Sequence, residues 1–154
     1  MDKVPGEYLR NAVLTATPER LHLMLYDGAI RFTRQGIEGL QQKKWEEAFN
    51  GFSRAQKIVL EMLNSLNYDV DKDLCTRMAG LYNFIYRKLL EASVQRQAAS
   101  ANEALRILEF QRETWVMVID KIREERSAQS LPPSDDLPDG ESADVSYGTL
   151  SVQG

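Results

Sequence analysis

Thr15-Ala-Thr-Pro-Glu-Arg-Leu-His-Leu-Met-Leu-Tyr-Asp-Gly-Ala-Ile-Arg-Phe32 is the stretch on which the fold turns. It reads as a helix start followed by an unusually apolar first helix. The Thr17 hydroxyl suits the free N–H groups of a first turn. Pro18 stands where its missing N–H costs nothing and its fixed φ already matches the helix. Glu19 puts negative charge near the positive end of the helix dipole. Arg20 stands at the third helical position, where an acid would close a capping box, so the reciprocal half of that box is absent.

From this start the apolar period runs Leu21, Leu25, Ala29, Phe32, Gly36, Leu40, predicting a helix from Pro18 to about Gln41. Gly28, Gly36 and Gly39 are poor helix formers, and their place on a helix points to close approach of a neighbour. A second period spans about Lys44 to Leu66 through Ala48, Phe52, Ala55, Val59, Met62 and Leu63. Asn67 to Asp71 breaks it, and Asp71 is a fair N-cap for a third helix running to about Ser93. Gln95 to Ala101 reads as a polar connector, and Ser100 with Glu103 matches a capping box for the fourth helix, which carries Leu105, Leu108, Trp115, Ile119 and Ile122.

Four helices of similar length with short links predict an all-α, antiparallel up-down four-helix bundle. The expected organisation is an N-terminal arm or short helix over residues 1–16, a bundle over 17–126 and a disordered acidic tail over 127–154. The tail holds Asp135, Asp136, Asp139, Glu141 and Asp144 with no Lys or Arg. Its Pro, Ser and Gly content cannot bury enough apolar surface to offset chain entropy.

Composition excludes several classes of function. The net charge of −4 resides in that tail, leaving residues 1–126 near neutral, without the basic stripe of a nucleic-acid binder. No run is long and apolar enough for membrane insertion, and the N-terminus lacks the order of a secretion signal. A lone Cys75 permits no intrachain disulfide and suits a reducing cytosol. Glu19 and His22 have the Glu-x-x-His spacing of bundle metal sites. His22 is the sole histidine, however, and a dinuclear site needs two such motifs. No nucleophile–base arrangement or phosphate loop is present, so neither enzyme activity nor a metal or cofactor is expected.

An interaction role remains. Most of the helix aromatics, among them Phe49 and Phe110, are expected in the core. The first and third helices nevertheless carry apolar residues over more than one face, the mark of a helix that meets a partner. Leu23, Met24 and Ile30 are candidates for that surplus, and Met suits an adaptable groove.

The ordered set Tyr8, Thr15 to Pro18, Met24 to Ala29, Ala55 to Ile58, Leu63 to Leu66, Leu81 to Tyr86 and Trp115 resembles the FliS family of flagellar export chaperones over about residues 5–125. The resemblance implies a cytosolic chaperone that holds the disordered C-terminal segment of flagellin and prevents premature polymerisation. It further implies that flagellin is kept ready for flagellar type III secretion, with export-apparatus components as further partners. The expected flagellin contacts are Tyr8, Leu9, Leu14, Leu23, Met24, Ile30, Tyr82, Ile85 and Tyr86. The arm is expected to lie over a bundle groove, anchored by Tyr8 and Leu9. Two rival readings stand: a bundle adaptor or scaffold for another amphipathic helical ligand, and a small metal-dependent bundle enzyme.

Overall fold

A computed structural model describes residues 3–130 of the chain. These form five helices: α1 Lys3–Thr15, α2 Pro18–Gln41, α3 Trp45–Asn64, α4 Lys72–Gln95 and α5 Ala98–Ser130. Helices α2 to α5 make the bundle, each packed on its two ring neighbours, and α1 precedes them. The tail from residue 131 onward lies outside the described residues. Ser127 to Ser130, expected as the beginning of that tail, are instead the last turn of α5. Ala128 and Gln129 favour helix, and the first helix-breaking prolines come only at Pro132 and Pro133.

Helix starts follow their side-chain chemistry. Thr17 is extended, with φ −69° and ψ 161°, and its hydroxyl accepts the Arg20 N–H at 3.3 Å. The Asp71 carboxylate accepts the Leu74 N–H at 3.1 Å to open α4. The expected start of α5 is corrected. Only Arg96, in the left-handed region at φ 54°, and Gln97 separate α4 from α5, and the helix has begun by Ala98. Ser100 caps nothing. It is buried inside the helix and donates to the Glu91 carboxylate of α4 at 3.0 Å. The alanines around it explain the difference: they are strong helix formers, and Ala101 and Ala104 are fully buried in the core.

The α2–α3 interface is the tightest in the molecule. A methyl group on Gly51 would meet the Gly36 backbone nitrogen at 2.5 Å and the Phe32 carbonyl oxygen at 2.8 Å. One on Gly36 would strike the Phe52 ring at 2.5 Å, and one on Gly39 the Ala48 nitrogen at 2.6 Å. The two backbones therefore touch along a line of missing side chains. Beside that line lies a core of Tyr26, Phe52, Val59, Met62, Ile85 and Leu89, all fully or almost fully buried. Each such side chain contributes about 1.5–3 kcal/mol of apolar transfer.

One polar pair sits inside. The Tyr26 and Tyr82 hydroxyls bond each other at 2.8 Å, linking α2 to α4 across the core. Burial pushes both phenols above their ordinary range, so both stay protonated.

Two stability predictions follow from this packing. Gly51→Ala is expected to lose about 1–3 kcal/mol, because backbone rather than a flexible side chain blocks it. Gly80→Ala in α4, where nothing lies within 4 Å, is expected to gain about 0.5–1 kcal/mol from helix propensity. Urea unfolding checks both, and equal effects would contradict the close-approach account. Tyr82→Phe leaves the Tyr26 hydroxyl buried and alone, at a cost of about 1–3 kcal/mol. The Tyr26→Phe/Tyr82→Phe double variant is expected to lose less than the single one by the same measurement.

Candidate functional site

Two surfaces stand out, on opposite sides of the ring. The first lies across the α3–α4 seam. Positions 45, 49, 56 and 60 recur on one face of α3 at helical spacing, and Trp45, Phe49 and Leu60 are exposed there, Phe49 to 60%. Two contacts seat this row beside α4. Gln56 Nε2 donates to the Tyr86 carbonyl at 3.4 Å, and the Arg96 guanidinium lies 4.3 Å from the Trp45 ring centre. On α4, half-buried Tyr86 and exposed Leu90, one turn apart, continue the apolar surface. Tyr86 rests partly on the core, while Phe49, Leu60 and Leu90 leave much of their apolar surface open to solvent.

The second surface is charged. A cleft of about 630 Å³ runs between the first half of α2 and the last turns of α5, with Ala12, Thr15 and Ala16 at its rim. Leu23, Met24 and Ile119 contribute its apolar lining. Arg126 binds Glu19 at 2.6 Å, and Arg112 donates to Asp27 at 2.5 Å. Farther along, Arg34 pairs with Glu109. Above these pairs the Trp115 indole N–H donates to the Glu19 carbonyl at 2.7 Å, pinning α5 to the start of α2.

The expected contact residues are scattered. Tyr8, Leu9 and Leu14 are exposed on α1, Tyr8 to 76%. Tyr8 and Leu9 therefore do not anchor the arm in a groove here, while its last turn borders the cleft through Ala12 and Thr15. Leu23 and Ile30 are buried, because α2 packs on both α3 and α5 and uses its wide apolar face inside the protein. Met24 is half-buried in the cleft lining. Tyr82 and Ile85 are fully buried in the core. Tyr86 alone of the nine reaches the α3–α4 seam. Trp45, Phe49, Leu60 and Leu90 were missed, and the expectation that Phe49 and Phe110 are core residues is corrected. The available signal was the three-turn spacing from Phe49 to Leu60, offset from the core line Phe52, Ala55, Val59.

His22 faces no metal-like cluster; among the described residues no group of three His, Cys, Asp or Glu could hold an ion. Its ring stands edge-on to Trp115, centres 4.8 Å apart, and to Tyr26, 5.2 Å apart. Burial there lowers its pKa below the ordinary 6.5. The unfolded chain then takes up a proton before the folded one does. Stability from this group is complete above pH 6.5 and is lost as pH falls from there through the lowered folded value. His22→Gln is expected to flatten the fall in urea midpoint between about pH 7.5 and about pH 5.5. An equally steep fall in the variant would assign it to other groups.

The family described as flagellar protein FliS matches residues 1–122. The flagellar secretion chaperone FliS of Bacillus subtilis (strain 168) is 29% identical over 119 residues, covering 77% of this chain and 88% of that one. The protein of the same name from Salmonella typhimurium is 26% identical over 114 residues, 73% and 84% of the two chains. A solved structure described as a flagellar chaperone from bacteria superposes with a TM-score of 0.64 at 21% identity, over 77% of this chain and 97% of that one, and supports the fold. No described helix is long and apolar enough to cross a membrane. With the family match spanning the bundle, the chain belongs to the FliS family of flagellar secretion chaperones, which are not enzymes.

Proposed function

We propose that the chain is a cytosolic export chaperone that binds the disordered C-terminal segment of flagellin, blocks its premature polymerisation and holds it ready for flagellar type III secretion, handing it to components of the export apparatus. The observation that carries this reading is the exposed apolar row Trp45, Phe49, Leu60 and Leu90, with half-buried Tyr86 beside it, across the α3–α4 seam, in a member of a secretion-chaperone family. A disordered segment that becomes helical on binding lays apolar side chains at i, i+3, i+4 and i+7 against such a row. Ordering it costs about 2–5 kcal/mol or more, so the contact must be long and apolar, as a seam between two helices of twenty or more residues allows. Helix α1 offers a second apolar face through Tyr8, Leu9 and Leu14, which closes onto the bound segment in this reading. The residues buried in the core, Leu23, Ile30, Tyr82 and Ile85, act by shaping the helices that carry the surface.

Titration calorimetry with monomeric flagellin tests the proposal. Binding at one to one with a large negative heat-capacity change is expected. The Phe49→Asp/Leu90→Asp variant, altered only at exposed positions, is expected to weaken it by about 30-fold, the effect of losing one hot spot of about 2 kcal/mol. Undiminished binding to flagellin lacking its C-terminal segment would refute the proposal and leave an adaptor for another helical ligand.

A further inference from the structure

The α2–α5 cleft is more basic than its ion pairs require. Four arginines line it, Arg20, Arg112, Arg123 and Arg126, against two acids, Glu19 and Asp27. Glu19 is held by Arg126 and Asp27 by Arg112. Arg20 and Arg123 are exposed and have no acidic partner among the described residues. The start of α2 opens at the same place and adds partial positive charge. Between the arginines the lining is apolar, through Leu23, Met24 and Ile119.

The chain supplies a sequence of complementary chemistry a few residues farther on. Asp135-Asp-Leu-Pro-Asp139 sets three carboxylates around one leucine, and Glu141 and Asp144 follow with no Lys or Arg among them. Pro132 and Pro133, which a helix accommodates poorly, stand between α5 and that segment in the sequence. Reach is sufficient. Arg123 lies seven residues before Ser130, about 10 Å back along α5 at 1.5 Å per residue. The extended chain from Ser130 to Asp136 covers about 20 Å at 3.3 Å per residue. Asp139 to Asp144 extend that reach to the level of Arg112.

We propose that the acidic segment 135–144 folds back into the α2–α5 cleft, its carboxylates pairing with Arg20 and Arg123 and Leu137 resting on the Met24–Ile119 lining. The cleft is thus an interaction surface for an acidic, leucine-bearing peptide, and its occupant is the chain's own C-terminal segment. The α3–α4 seam is a different face, so this proposal stands apart from the flagellin reading.

Paramagnetic relaxation on the full chain tests it. A nitroxide is attached at Ser142→Cys in a Cys75→Ser background, which keeps a donor for the Asn67 carbonyl that Cys75 now bonds. Selective loss of amide signal is expected around Arg20, Met24, Ile119 and Arg123. It should vanish on raising ionic strength from ~0.01 M, where charges act over about 30 Å, to ~1 M, where they act over about 3 Å. The Arg20→Glu/Arg123→Glu variant should lose it, and Lys57→Glu should keep it. D135N/D136N/D139N, which leaves every bundle residue intact, should also lose it if the arginine variant misfolds. Broadening spread evenly over the bundle, or unaffected by the tail substitutions, would overturn the proposal. So would broadening that persists between a spin-labelled chain and a separate isotope-labelled chain, since the occupant would then be a second copy.

Discussion

The contact of the α2 and α3 backbones at Gly36 and Gly51 governs the rest of the bundle. No side chain separates the helices there; a single methyl on Gly51 would lie 2.5 Å from a backbone nitrogen. The packing energy comes from the residues beside it, since Phe52 can lie flat on Gly36 only because Gly36 has no side chain. With Phe52, Ala55 and Val59 turned inward by that contact, Phe49 and Leu60 are turned outward by helix geometry. The interior and the exposed apolar row are therefore two consequences of one constraint. Moving α3 by a residue's rotation to cover Phe49 would pull Phe52 off the core.

The opposite side of the ring is built differently. Helices α2 and α5 share the core through Ala104 and Leu108 and add, on the outside, ion pairs, Arg34 with Glu109, Arg112 with Asp27 and Arg126 with Glu19, and one indole-to-carbonyl hydrogen bond. Exposed pairs of this kind contribute little each, about 0–1 kcal/mol, and they border the cleft. Glu19 is the exception: it is buried beside Arg126, and a buried carboxylate left without its partner would be costly. The bundle thus has one seam closed by backbone contact and one whose outer edge is lined with ion pairs, and the cleft opens on the charged side.

Much of the fold was legible in the sequence. Thr17-Pro18 and Asp71 name their helix starts through side-chain chemistry that acts within one turn, and the structure uses both as read. Gly36 and Gly39 signalled close approach because a helix tolerates glycine poorly without a packing reason. Ser100 shows where local reading fails. Ser-x-x-Glu is a cap only if the chain before it is not helical, and Ala98 and Ala99 extend the helix past it while Glu91 takes the hydroxyl. The surface was harder still. Helices α2 and α4 are apolar over wide arcs, and that width reads equally as a partner face or as two packed interfaces. For Leu23, Ile30, Tyr82 and Ile85 it was the second. Phe49 was concealed by the opposite ambiguity, an aromatic on an amphipathic helix one position from a true core line.

These two seams also respond differently to solution conditions, which bears on the two occupants proposed for them. An apolar row such as Trp45, Phe49 and Leu90 exerts its attraction through water exclusion, which salts of the excluded kind strengthen. The cleft around Arg20 and Arg123 attracts through charge, which any salt screens over a Debye length of about 8 Å at physiological ionic strength. Rising ionic strength therefore loosens whatever the cleft holds by charge without weakening apolar attraction at the α3–α4 seam. The bundle between them is rigid at its glycine contact and fully packed within, so occupancy of one face has no soft element through which to deform the other. Coupling between the faces, where it exists, must pass through a segment that reaches both. Helix α1 stands closest to that role: its last turn borders the cleft and its apolar face is turned to solvent.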